Sequence, residues 1–158
     1  MLKLVTAKTA EHYDITRELF VEYADQLGHD LCFQDFQHEL EDLAGVYAPP
    51  NARVLLAAVE QQWIGCVAMK RFDHKICEMK RLFVRPPFRR RGLGRRLALE
   101  IIAIAHAAGY ERMRLDTLAS MSTARALYES LGFREIERYY DNPIAGVVFY
   151  ELALKPPP

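Results

Sequence analysis

The chain has 158 residues, with 21 Lys+Arg against 21 Asp+Glu, 51% apolar residues and 27% charged ones. A chain of this length buries roughly 70% of its unfolded surface; the apolar share excludes intrinsic disorder, and eight Gly and eight Pro exclude collagen-like or low-complexity character. The longest uncharged apolar run, Val54–Val59, falls far short of the roughly 20 residues of a membrane helix, and Met1–Lys8 lacks the apolar stretch of a secretory leader, so one cytoplasmic domain over residues 1–158 is expected.

Leu2–Ala7 reads as a first strand. Ile15, Leu19, Tyr23 and Leu27 then recur every four residues, the stripe of an amphipathic helix. A second helix is expected over Phe33–Leu43, with Phe33, Phe36, Leu40 and Leu43 on one face, followed by a loop over Ala44–Asn51 that contains Pro49–Pro50. The strands Arg53–Glu60, Trp63–Phe72 and Ile76–Val84 are separated by the short polar breaks Gln61–Gln62 and Asp73–His74, which implies an antiparallel meander. Leu93, Leu97, Ile101, Ile104 and Ala108 mark a helix that Gly109 is placed to end. Arg112–Thr117 alternates as a strand, with Met113, Leu115 and Thr117 opposed to Arg112, Arg114 and Asp116. Ser122 is expected to cap a helix carrying Ala124, Leu127, Tyr128 and Leu131, stopped by Gly132. Phe133–Arg138 and Val147–Leu154 read as final strands around a Tyr139–Pro143 loop. The order predicts an α/β (α+β) fold: a mixed central sheet of about six to seven strands with helices on both faces. A right-handed parallel crossover should join Val84 to Arg112.

Cys32, Cys66 and Cys77 are an odd number without metal-ligand spacing, and suit small core side chains in a reducing compartment. His12, His29, His38, His74 and His106 form no ligand pair, so no metal is expected.

Neutrality overall conceals an asymmetry. Lys70–Arg96 holds eleven basic residues and two acidic ones, Asp73 and Glu78, for a local balance of +9. Residues 1–69 hold four basic and eleven acidic (−7), and those after Arg96 six and eight (−2). The positive charge clusters on a turn that runs from Val84 through Pro86–Pro87, Arg89–Arg91, Gly92 and Gly94 to Arg95–Arg96. The first N–H groups of a helix lack intrahelical acceptors and its dipole presents positive charge there, so the start of this helix is suited to an anion. Cations in a first helical turn are disfavoured by roughly 0.3–1 kcal/mol, which leaves two readings of the arginines: solvated side chains, or a berth for a small polyanion. An extended nucleic acid fits less well, because the acidic remainder of the chain repels a phosphate backbone.

The string G-x-x-x-x-G-K-[ST] of the NTPase phosphate loop is absent, and the dinucleotide fingerprint fails because Leu97 stands where its third glycine belongs, although Asp116 ends the next strand. Arg89-x-x-Gly92-x-Gly94, preceded by Val84-x-Pro86, instead resembles the acetyl-CoA-binding motif [Q/R]-x-x-G-x-[G/A] of the GNAT superfamily of N-acetyltransferases. Ala124-Arg-Ala-Leu-Tyr128-Glu-Ser-Leu-Gly132-Phe133 is similar to the family's A-x-x-L-Y-x-x-x-G-F helix. The resemblance covers roughly Trp63–Leu154, and one departure is Met121, where members often carry Asn. It implies that backbone groups of Arg89, Arg90, Arg91, Gly92, Leu93, Gly94 and Arg95 hold the pyrophosphate of acetyl-CoA, the co-substrate. It also implies that Leu82, Phe83 and Val84 pair with the pantetheine arm on a strand that bulges and splays from its parallel neighbour. An N–H near Leu82 would face the developing oxyanion.

Acetyl transfer needs a neutral amine, and a primary amine of pKa about 10.4 is neutral in only about one molecule in 2,500 at pH 7, a cost of roughly 4.6 kcal/mol. Glu78, on the strand leading into the turn, is the candidate base; the other reading makes it an ion pair with Lys80 or Arg81. Tyr128, which the resemblance places beside the coenzyme sulfur, is the candidate acid, or else a core tyrosine. Glu78, Tyr139 and Tyr140 are candidates for the acceptor site. The expectation is therefore an acetyl-CoA-dependent N-acetyltransferase acting directly on an amine of a small molecule or peptide, with no membrane partner and a homodimer left open. A silent acyl-CoA sensor and, further off, a nucleic-acid module are the alternatives. The acidic first 69 residues favour a cationic acceptor.

Overall fold

Alternating or continuous apolar runs build strands β1 (Leu2–Thr6), β2 (Arg53–Val59), β3 (Gln62–Arg71), β4 (Ile76–Val84), β5 (Arg112–Leu118), β6 (Arg134–Ile136) and β7 (Val147–Ala153). In the computed structural model, which describes residues 1–28, 31 and 35–154, they form one seven-stranded sheet in the order β1-β2-β3-β4-β5-β7-β6. Every neighbouring pair is antiparallel except β4 and β5, which run parallel across the connection carrying helix α4 (Leu93–Ala107).

The sheet separates two cores. On one face α1 (Ala10–Leu27), α2 (Phe36–Glu41) and α3 (Leu43–Val46) contribute Leu19, Phe20, Leu43 and Tyr47, which pack on Leu56, Cys66 and Phe83. On the other, α4 and α5 (Ser122–Ser130) bring Leu97, Ile101 and Tyr128 against Met79, Met113 and Leu115. The alternation along β5 is as expected: Met113 and Leu115 face the second core, while Arg114 and Asp116 point to the opposite side and are only half-buried. Cys66 and Cys77 are buried; Cys32, His29 and Phe33 lie outside the described residues. Among the described residues, no helix is long and apolar enough to cross a membrane.

Three local expectations need correction. The helix expected over Phe33–Leu43 is, from Phe36 onward, two short ones. Asp42 breaks it, because its Oδ1 accepts the Gly45 amide at 3.2 Å and starts α3 inside the stretch read as a loop. Ser122 does not cap α5; Met121 holds the cap position without a side-chain bond, and Ser122 is the first helical residue. The strand expected over Phe133–Arg138 shortens to Arg134–Ile136, because beyond it Tyr139 and Tyr140 meet Phe149 edge to face and hydrogen-bond to carboxylates of β4 and β5. Gly109 ends α4 as expected, at φ 97°.

Candidate active site

Pairing between β4 and β5 runs over Ile76–Arg112, Cys77–Met113 and Glu78–Arg114 and then stops. Beyond Glu78 the strands part, so the β5-facing backbone edge of Leu82, Phe83 and Val84 has no partner strand. The parting opens a slot of about 80 Å³ whose lining includes Glu78, Lys80, Leu82, Asp116, Met121 and Tyr128. An unpaired strand edge can receive an extended ligand as though it were another strand.

The slot leads to the start of α4. Gly92 is its cap residue, at φ 75° and without a side-chain capping bond, and Arg90 is also left-handed at φ 65°. Residues that alternate into this region gather backbone N–H groups into an anion-binding concavity. The first bond of the helix is Arg96 N–H to the Gly92 carbonyl at 3.1 Å, which leaves the amides of Leu93, Gly94 and Arg95 without intrahelical acceptors. Arg90, Arg91, Arg95 and Arg96 are exposed around this mouth, with Arg91 stacked 5.5 Å from the Phe88 ring and Arg95 donating to Ser130 Oγ at 2.9 Å. Arg89 turns the other way: its Nε donates to the Val84 carbonyl at 2.7 Å and its guanidinium lies 5.6 Å from the Phe83 ring, so the side chain braces the turn.

Glu78 and Tyr128 meet in the slot. Glu78, 9% exposed, accepts a 2.8 Å hydrogen bond at Oε2 from Tyr139 Oη. Tyr128, 8% exposed, extends from α5 with no hydrogen bond to its hydroxyl among the described residues. Burial, reinforced by Tyr23 and Asp116, raises the Tyr128 pKa well above its ordinary value, so the hydroxyl keeps its proton. Lys80, two residues beyond Glu78 on β4 and also in the slot lining, is pulled down to about 8, first by burial and then by the neighbouring Arg81. The slot is thus lined by a carboxylate from β4 and a phenol from α5.

The family model described as the acetyltransferase (GNAT) family matches residues 11–133. The chain belongs to that family. As a GNAT chain it is 39% identical over 155 residues to an uncharacterised N-acetyltransferase of Schizosaccharomyces pombe, an alignment covering 97% of this chain and 95% of that one. Its fold matches an acetyltransferase of Streptococcus agalactiae at a TM-score of 0.80, with 21% identity and 96% and 98% of the two chains covered. It also matches an N-acetyltransferase of Thermoplasma acidophilum in complex with coenzyme A at a TM-score of 0.75, with 16% identity over 97% and 99%. The protein is an acyltransferase, and members of its family act on amine acceptors.

Sequence reasoning did not find what holds this GNAT slot open. Cys66 pairs with Phe83 and Ala68 with Lys80, so Arg81 and Leu82 stand opposite Val67 as a bulge in β4. Arg81 sits there at φ 61° and sends its guanidinium under the sheet, where Nη2 and Nε donate to Glu39 of α2 at 2.8 and 3.1 Å. Tyr47 Oη donates to the same carboxylate at 2.9 Å. Arg81 is therefore the partner of Glu39, and the ion-pair reading of Glu78 with Arg81 does not hold. Past the bulge, where Gly65 pairs with Val84, a Cβ at Gly65 would lie 2.6 Å from the Phe83 carbonyl oxygen, so the strand can approach only as glycine. Sequence reading also passed over Asp116 as a slot residue: Tyr140 Oη hydrogen-bonds its Oδ2, so both loop tyrosines are tied to slot carboxylates.

Proposed function

We propose that residues 1–158 act as an acetyl-CoA-dependent N-acetyltransferase domain that moves an acetyl group directly onto a primary amine. The observation that carries this is the unpaired β4 edge leading straight to the uncapped, arginine-ringed start of α4. The residues fit the co-substrate: the amides near Gly92–Arg95 and the exposed Arg90, Arg91 and Arg95 suit its pyrophosphate, and the backbone of Leu82–Val84 suits its amide-rich arm. When bound, acetyl-CoA supplies the activated acyl group. Glu78 takes the proton from the incoming ammonium, held in place for this by Tyr139. Tyr128 keeps a proton to give to the departing sulfur, since its burial opposes ionisation. The backbone N–H groups of the β4 bulge stand on the unpaired stretch, where negative charge develops on the acyl oxygen. Tyr139 and Tyr140 wall the acceptor side.

The test is calorimetry with acetyl-CoA together with free-thiol release across a panel of amines. Binding in the micromolar range and thiol release with at least one amine are expected. No binding, with no release, would overturn the reading; tight binding without release from any amine would leave only the acyl-CoA-sensing part of it.

A further inference from the structure

The last rung between β4 and β5 pairs Glu78 with Arg114, and on the other side of β5 Arg114 stands opposite Glu151 of β7. Arg114 Nε donates to Glu151 Oε2 at 2.8 Å, while Arg112 Nη1 donates to Oε1 of the same carboxylate at 2.9 Å. Held in this way, the Arg114 guanidinium lies 5.0 Å from the centre of the Tyr139 ring and 5.4 Å from that of Phe72. Those two rings meet edge to face at 5.3 Å, and Phe149 meets Tyr139 in the same manner at 5.1 Å. Tyr139 lies beyond the last rung of β6, at Ile136, so side-chain contacts and not strand pairing fix its place. Its hydroxyl is the group that donates to Glu78 Oε2 at 2.8 Å.

Resting on the acetyltransferase reading above, in which Glu78 takes the proton of the acceptor, we propose that Arg114 is a positioning residue for that base. It acts through Tyr139: the cation holds the ring, the ring aims the hydroxyl, and the hydroxyl fixes one carboxylate oxygen of Glu78. A guanidinium is suited to this because it is planar and can keep its ion pair while it stacks, and the contact strengthens where water is largely excluded. Arg114 and Glu151 are both mostly buried. Two other accounts of Arg114 give different outcomes. In one it only ties β5 to β7; in the other its charge acts on Glu78 directly. Lys70 stands opposite Glu78 on β3, and Lys80 and Asp116 line the same slot, so Glu78 has charged neighbours besides Arg114, and these stay unchanged in every variant below.

The experiment is a set of double-mutant cycles on acetyl-CoA-dependent thiol release, with the most active amine of the panel at saturation. Arg114→Met is made alone and together with Tyr139→Phe or Glu78→Gln. Arg114→Met and Tyr139→Phe should each lower kcat by about tenfold, with acetyl-CoA affinity by calorimetry held within a factor of about two. Added to Tyr139→Phe or to Glu78→Gln, Arg114→Met should change kcat by less than about twofold, because the chain of contacts is already cut. A role confined to tying β5 to β7 lowers kcat by the same factor in every background, and a direct effect of the charge persists in Tyr139→Phe. Either result overturns the inference, as does an unchanged kcat in Arg114→Met. Should Arg114→Met fail to fold, Phe72→Ala takes its place in the same cycles: Phe72 is exposed, its loss leaves the ion pair intact, and kcat should fall by about fivefold in the wild-type background alone. Additive cycles in an active enzyme overturn only the positioning role; a wild type that releases no thiol with any amine overturns the acetyltransferase reading and this inference with it.

Discussion

Removing the charge from Glu39 tests whether the β4 bulge is held from beneath. Glu39 is 3% exposed and Arg81 4%, and two hydrogen bonds of 2.8 and 3.1 Å join them. Glu39→Gln keeps the volume and removes the counter-charge, leaving a guanidinium buried against a neutral amide and Tyr47. Breaking a buried pair from one side costs about 3–5 kcal/mol. At roughly 2–4 °C per kcal/mol for a domain of this size, the melting temperature should fall by about 6–20 °C. The second effect is functional. A left-handed residue other than glycine costs about 1–2 kcal/mol, and this pair is what keeps Arg81 there. Replacing both partners together, Glu39→Met with Arg81→Met, should recover much of the stability but not the acetyl-CoA KM, because apolar packing does not hold the bulge. Thermal and urea denaturation measure the first effect and initial rates the second. The pH dependence has a defined sign. Burial alone would raise the Glu39 pKa, but the hydrogen bonds and charge of Arg81 outweigh it and hold it below the ordinary 4.5. A depressed carboxylate stabilises above its unfolded pKa and loses that contribution as pH falls through the folded one. The wild type should therefore lose this stability below about pH 4.5, while Glu39→Gln has none to lose. A Glu39→Gln protein that melts within about 2 °C of the wild type with the same kinetic constants would refute the reasoning.

Further outcomes follow from the slot. Tyr128→Phe should lower kcat by about 10²–10⁴-fold while leaving acetyl-CoA affinity, read by calorimetry, within a factor of about two. Because its pKa is raised, Tyr128 should contribute no alkaline fall in the wild-type pH–rate profile up to about pH 10. Glu78→Gln should cut kcat/KM at pH 7 by about a hundredfold, with the deficit shrinking as the amine deprotonates at higher pH. Gly65→Ala places a methyl group 2.6 Å from the Phe83 carbonyl oxygen and should destabilise by about 1–3 kcal/mol in urea denaturation, although both residues are apolar and small.

The meander, the two long helices and the glycine–arginine turn that starts α4 were legible because each rests on local signals: period, polar breaks, and glycines beside arginines. The slot residues Glu78 and Tyr128 were legible one at a time, from strand position and helix motif. What joins them was not. Arg81 and Glu39 are 42 positions apart, and nothing in an Arg inside a strand announces a positive φ or a partner on a short helix. The break at Asp42 was hidden because Phe36, Leu40 and Leu43 keep a helical period across it; the readable signal was the Asp42-x-x-Gly45 spacing, which lets a side chain compete with the helix for the backbone amide. In sequence Asp116 shows only its place at the end of a strand, because its neighbours Tyr140 and Asn142 reach it through tertiary structure alone.

The parting of β4 from β5 has a mechanical consequence. The block β1–β4 and the block β5–β7–β6 share rungs only at one end, from Ile76 to Glu78, so toward the other end the sheet is a pair of leaves joined along a short spine. A molecule threaded between the leaves touches both and supplies the rungs the chain lacks. Occupancy then becomes cohesion: the loaded protein should resist unfolding and proteolysis more than the empty one, by an amount that grows with the logarithm of ligand concentration.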